Sequence, residues 1–155
     1  MSEASHPEDH EPLGGQVSIR VFIYPQDFPA VIELWNTAGP GIHTGRSDTL
    51  EEIHKKLQRD PDLFLVAELD GRMVGAVLGG YDGRRGIVYH LAVAANCRQA
   101  GIGSALLAEL EHRLQVKGCI KSYMLVVKDN DLARQFYETR GWEQMDLLIY
   151  GKNLG

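Results

Sequence analysis

The chain has 155 residues, 44% hydrophobic and 24% charged, with a formal charge of -5 and two cysteines. That length fits one domain with a sizeable core, and no apolar run reaches the ~18 residues that a membrane span needs. The acidic balance weighs against binding a nucleic-acid backbone. Two cysteines are too few for a disulfide framework, and no basic region leads into an apolar run at the N-terminus, so a reducing cytoplasm is the expected location.

Residues 1–15 carry Glu3, Glu8, Asp9 and Glu11, two prolines and Gly14-Gly15, with almost no large apolar side chain. This reads as a disordered acidic tail, with His6 and His10 solvated rather than bound to metal, and the folded domain as 16–155. Val17, Ile19, Val21 and Ile23 then alternate with polar residues as a first strand. After a turn at Pro25, the stripe Val31, Ile32, Leu34 and Trp35 predicts a helix that stops before Gly39-Pro40-Gly41. The connection from Thr37 to Arg46 contains His43 and is either a plain linker or one wall of a substrate site. Ser47 or Asp48 is placed to cap a second helix bearing Leu50, Ile53 and Leu57.

From Leu63 to Tyr81 two apolar runs flank Asp70-Gly71, the signature of a hairpin on a type I′ turn. Asp82-Gly83 repeats the device and leads into a strand from Gly86 to Ala94. Beyond Arg98-Gln99-Ala100-Gly101-Ile102-Gly103, residues Ile102, Leu106, Leu110 and Leu114 recur four apart, and Glu109 and Arg113 are spaced to pair on the outer side. Gly118 ends this helix. Ser122 to Lys128 is the next strand, parallel to the one before the helix because a single helix connects them. Asp129-Asn130-Asp131 starts a short helix to Arg140, Gly141 ends it, and Trp142 to Tyr150 is expected as a last strand. The order is β-α-α-β-β-β-α-β-α-β.

The Arg98–Gly103 turn stands at the start of a helix and lacks a side chain at two of its six positions. Its N–H groups can approach a phosphate closely at the positive end of the helix, with Arg98 adding charge. On spacing alone, an ordinary strand-to-helix connection fits as well.

In order and context, Arg98-x-x-Gly101-x-Gly103, Asn130-x-x-Ala133-x-x-x-Tyr137 and Gly141-Trp142 resemble the GNAT superfamily of acetyl-CoA-dependent N-acetyltransferases, over about Val17 to Leu154. Leu63-Phe-Leu-Val-Ala-Glu, Gly79-Gly-Tyr-Asp-Gly and Asp129-Asn-Asp are similar to the bacterial YpeA subgroup in particular. The resemblance implies an α/β (α+β) fold with a mixed, mostly antiparallel central sheet of about six to seven strands and helices on both faces. It implies acetyl-CoA as cosubstrate, no metal, and direct acetyl transfer to a primary amine of a small molecule or peptide. No nucleic-acid or membrane partner is expected, and homodimerisation stays open. A non-catalytic acyl-CoA-binding sensor is the alternative.

By the same resemblance, the turn residues Arg98, Gln99, Ala100, Gly101, Ile102, Gly103 and Ser104 hold the coenzyme pyrophosphate. Backbone groups of Leu91, Ala92 and Val93 pair with pantetheine where two parallel strands part. Asn130 matches a coenzyme-contacting position, and is equally placed as a helix cap. Tyr137 matches the general acid that protonates the leaving thiolate. The strand before the turn lacks the glutamate that many members use as a base; His90 is the available acceptor, with a satisfied structural histidine or a water chain as the other readings. Strict alternation would put Tyr89 on the opposite face from His90. Cys97 has no evident activating partner and is read as inert.

Overall fold

Asp70 and Gly71 adopt φ angles of 51° and 74°, the two left-handed conformations of a type I′ turn. They join β2 (Phe64–Leu69) to β3 (Arg72–Tyr81) as the sequence predicts. The structure, a computed structural model, describes residues 16–39, 42 and 44–155. The expected acidic tail, with His6 and His10, therefore lies outside the described residues, as does His43. Two compact units are present, one ending at Leu125 and the other spanning Val126–Gly155.

In the first unit, β1 (Ser18–Val21), β2, β3, β4 (Gly86–Val93) and β5 (Ser122–Met124) lie side by side in sequence order. The first three pairings are antiparallel and β4–β5 is parallel. The parallel pair follows from the single crossover helix between them, α3 (Ile102–Val116).

Alternation along β3 divides the core. Ala76 and Leu78 join Phe64 and Val66 under Val31, Leu34 and Trp35 of α1 (Phe28–Thr37) and Ile53 of α2 (Leu50–Arg59). Gly75 and Gly79 face the other way. A Cβ at Gly75 would come 2.9 Å from Leu106, and one at Gly79 would run into Leu110, so the two glycines let α3 lie close against the sheet. The predicted stripe of Ile102, Leu106, Leu110 and Leu114 is buried throughout, and Arg113 pairs with Glu109 at 2.9 Å.

At the sheet edge Arg20 ties β1 to its surroundings. Its guanidinium contacts both oxygens of Asp27, at 2.6 and 2.9 Å, and Glu68 of β2 at 2.6 Å. The hydrogen bond from Arg20 holds the Asp27 carboxyl below the ordinary carboxylate range against the opposing effect of burial, helped by the Ile23 N–H.

The second unit contains α4 (Asp131–Glu138), whose N-cap Asn130 accepts a hydrogen bond from the Ala133 N–H at 3.2 Å. Two expectations are corrected in the C-terminal part of the chain. The strand expected from Ser122 to Lys128 pairs only as far as Met124. No strand forms over 142–150, so the sheet has five strands rather than six to seven, in the order β-α-α-β-β-β-α-β-α. The apolar run there records strand propensity, but a strand exists only through a ladder and a packed face. Leu147, Leu148 and Ile149 are exposed, and no ladder pairs this segment among the described residues.

Candidate active site

The site is built on an irregularity in β4. Ala76 stands opposite Ala92 and Leu78 opposite Tyr89, so Val77 faces two residues, His90 and Leu91. One extra residue on one strand is a β-bulge, which locally breaks the two-residue alternation. His90 absorbs the distortion with a φ of 41°, a left-handed conformation that histidine adopts more readily than most side chains.

The bulge corrects the expectation that Tyr89 and His90 point to opposite faces. Tyr89 stands opposite Leu78, which packs in the α1 core, and the His90 ring meets Trp35 of α1 edge-on at 4.8 Å. Both rings therefore turn toward the α1–α2 side, with centroids 6.5 Å apart. Burial, and secondarily the negative charge of Asp60 at the end of α2, push the Tyr89 hydroxyl above its ordinary value.

Asp48 comes to this side from the turn Arg46–Asp48 ahead of α2. It does not cap the helix as expected; Thr49 does, accepting from Glu52 N–H at 3.3 Å. Asp48 Oδ2 instead accepts the Gly45 N–H at 2.9 Å, while Oδ1 lies 3.0 Å from His90 Nε2. Only 9% of Asp48 is exposed, so its carboxylate is largely shielded from solvent, while the His90 ring is partly buried. Sequence reading missed this partner because the two residues stand 42 positions apart and no local spacing links them.

Beyond Val88, the last β4 residue paired with β5, β4 continues alone on that side through Tyr89 to Val93. The backbone of Leu91, Ala92 and Val93 thus pairs with β3 on one side and has no β5 partner on the other among the described residues. A turn at Ala95–Cys97 follows. Cys97 is buried, with its Sγ on the Asn96 side chain, as suits an inert thiol.

Gln99 and Gly101 then take left-handed φ angles of 67° and 78°, and the first intrahelical bond of α3 runs from Ala105 N–H to the Gly101 carbonyl at 3.0 Å. Left-handed residues within a turn at a helix start can gather neighbouring N–H groups into an anion-binding concavity at the positive end of the dipole. The Arg98 guanidinium donates to the carbonyl of Ala38, the C-cap of α1, a position that favours a cation. It thereby fastens the turn to the α1–α2 connection.

In the second unit, Tyr137 lies on α4 with its ring edge-on to Phe136 at 5.2 Å. Burial pushes its hydroxyl above the ordinary value, so it holds its proton well into the alkaline range. Asn130 is occupied as the α4 cap, the second of its two expected roles. Among the described residues no group of three His, Cys, Asp or Glu has the placement to hold a metal, and no helix is long and apolar enough to cross a membrane.

The acetyltransferase (GNAT) family matches residues 28–142. The chain belongs to this family. It is 43% identical over 138 residues to acetyltransferase ECA0875 of Pectobacterium atrosepticum, an alignment covering 89% of this chain and 96% of that one. Ard1 from Thermoplasma volcanium superposes with a TM-score of 0.71 at 26% identity, covering 81% of each chain. The PaiA N-acetyltransferase of Thermoplasma acidophilum, in complex with coenzyme A, shares the fold with a TM-score of 0.72 at 20% identity, covering 85% of this chain and 92% of that one. The acetyltransferase thus has the family fold. Its activity is acetyl transfer.

Proposed function

We propose that this N-acetyltransferase moves an acetyl group directly from acetyl-CoA to a primary amine of a small molecule or peptide. The observation that carries the reading is the run of β4 past the end of β5, directly ahead of the turn that opens α3. Backbone N–H and C=O groups left without a ladder partner need one when covered, and the amides of pantetheine supply it along Leu91, Ala92 and Val93. The turn from Arg98 through Gln99, Ala100, Gly101, Ile102 and Gly103 to Ser104 receives the pyrophosphate. Asn130, besides capping α4, borders the coenzyme as its family position implies.

In the reaction the amine nitrogen attacks the thioester carbon, a backbone N–H near Val93 steadies the oxyanion, and the C–S bond breaks. The departing thiolate takes a proton from Tyr137, and His90 accepts the proton that the amine gives up. Holding both reactants together removes the need for a covalent enzyme intermediate. We assign these roles to one catalytic domain over residues 16–155, at work in the cytoplasm, where free buried cysteines such as Cys97 and Cys119 stay reduced.

Thiol release from acetyl-CoA, followed with a panel of amines of graded pKa, tests the proposal. Release that depends on an amine supports it. Calorimetric binding of coenzyme A with no release for any amine would return the protein to the sensor class.

A further inference from the structure

The α1–α2 connection contributes more than a wall to this site. Both oxygens of the Asp48 carboxylate are engaged as acceptors, Oδ2 from the Gly45 N–H at 2.9 Å and Oδ1 from His90 Nε2 at 3.0 Å. A carboxylate has no hydrogen to give, so in the neutral ring the His90 hydrogen belongs on Nε2 and Nδ1 is the nitrogen able to accept. Ring orientation is fixed from a second direction by the edge-on contact with Trp35 at 4.8 Å, and from a third by the bulge that holds His90 at a φ of 41°. The ring stands one residue before Leu91, where the expected coenzyme-binding backbone begins. A base held by a buried carboxylate through its far nitrogen is the arrangement by which an imidazole is kept in one tautomer for proton transfer.

We propose that Asp48 is the positioning residue of this acetyltransferase, holding His90 in the Nε2–H tautomer so that Nδ1 accepts the proton of the attacking amine. The inference rests on the reading of His90 as the base. It also links two parts of the site, since the same carboxylate fixes the Gly45–Asp48 turn of the α1–α2 connection and the ring on β4. Tyr89 neighbours the ring on its own strand, Trp35 from α1 is uncharged, and Asp60 at the end of α2 acts on Tyr89 and is itself paired with Lys56.

An amide cannot replace Asp48 in this role. Asparagine has one acceptor oxygen for two donors, so Asp48→Asn must abandon either the Gly45 N–H or His90, and its N–H₂ group favours the opposite tautomer. The test combines nitrogen-detected NMR of the imidazoles in the full-length protein with pH profiles of kcat/KM for an α-amine acceptor. In the wild type the His90 resonances are expected to report the Nε2–H tautomer, and Asp48→Asn to convert them to a mixture or to the Nδ1–H form. Asp48→Asn should lower kcat at pH 7 by about 10²-fold, the lower end of the range for general acid–base catalysis, with KM for acetyl-CoA changed by less than about 3-fold.

His90→Asn keeps a side chain that tolerates the left-handed backbone. Its deficit should shrink as pH rises through the amine pKa of about 8, because an amine already deprotonated needs no base. Wild-type resonances showing the Nδ1–H tautomer would overturn the assignment of Asp48 whatever the activity of any variant, including one that does not fold. A His90→Asn deficit that is constant with pH, beside the expected tautomer, would overturn instead the reading of His90 as base.

Discussion

Tyr89 and His90 are neighbours on one strand, yet their rings stand on the same side of the sheet with centroids 6.5 Å apart. The relationship exists because Val77 faces two β4 residues instead of one, and the φ of 41° at His90 takes up the difference. A left-handed backbone costs a residue with a Cβ roughly 1–2 kcal/mol and glycine almost nothing. His90→Gly is therefore expected to be more stable than His90→Ala by about 1 kcal/mol, the reverse of the usual order within a strand. Urea denaturation of the two variants reads the difference, and alanine as the more stable would mean that the bulge is not held this way in solution.

Gly101 opens α3 with a φ of 78°, and among the described residues nothing beyond its own chain neighbours lies within 4 Å of a Cβ placed there. Gly101→Val therefore leaves packing alone while adding backbone strain and a branched side chain where a phosphate must meet N–H groups. The expected outcome is a folded protein with an unchanged far-ultraviolet spectrum whose affinity for coenzyme A, by calorimetry, drops by about 10²-fold or more, equivalent to roughly 3 kcal/mol. Wild-type affinity in the folded variant would remove the turn from the coenzyme site.

Burial raises the Tyr137 hydroxyl above its ordinary value. A phenol with a raised pKa is still protonated where an exposed one begins to ionise, so as a general acid it should sustain kcat to at least pH 10 with no earlier alkaline decline. Tyr137→Phe deletes only that proton and should reduce kcat by about 10²-fold while leaving KM for acetyl-CoA nearly unchanged. Steady-state kinetics across pH 6 to 10.5 measures both, and unchanged turnover in the phenylalanine variant would leave Tyr137 a packing residue.

Asp27 is held ionised by Arg20, and its folded pKa lies below the ordinary value of 3.8. A depressed carboxylate stabilises the fold above its unfolded pKa and loses that contribution as pH falls through the folded one. Asp27→Asn should accordingly be clearly less stable than the wild type at pH 7, and the gap should narrow progressively below about pH 4. Denaturant midpoints at pH 7, 5 and 3 decide it; a gap independent of pH would mean that the cost comes from packing and not from charge.

Much of the architecture was legible in the sequence because it is written in local rules. Asp70-Gly71 requires two left-handed residues whatever surrounds it, the four-residue spacing of Ile102, Leu106, Leu110 and Leu114 buries one face of any helix, and the motifs from Arg98 to Trp142 resemble one family in order and spacing. What the tertiary structure decided is of another kind. Strand propensity over 142–150 met no ladder, and β5 stopped at Met124, because pairing depends on what lies alongside and not on the segment itself. The bulge is a mismatch of register between two strands, so neither strand's pattern announces it. Asp48, which by its neighbours is a helix cap, becomes the partner of His90 because folding brings together residues 42 positions apart. Local chemistry supplied the side chains, and the meeting of distant strands and loops selected which of them touch.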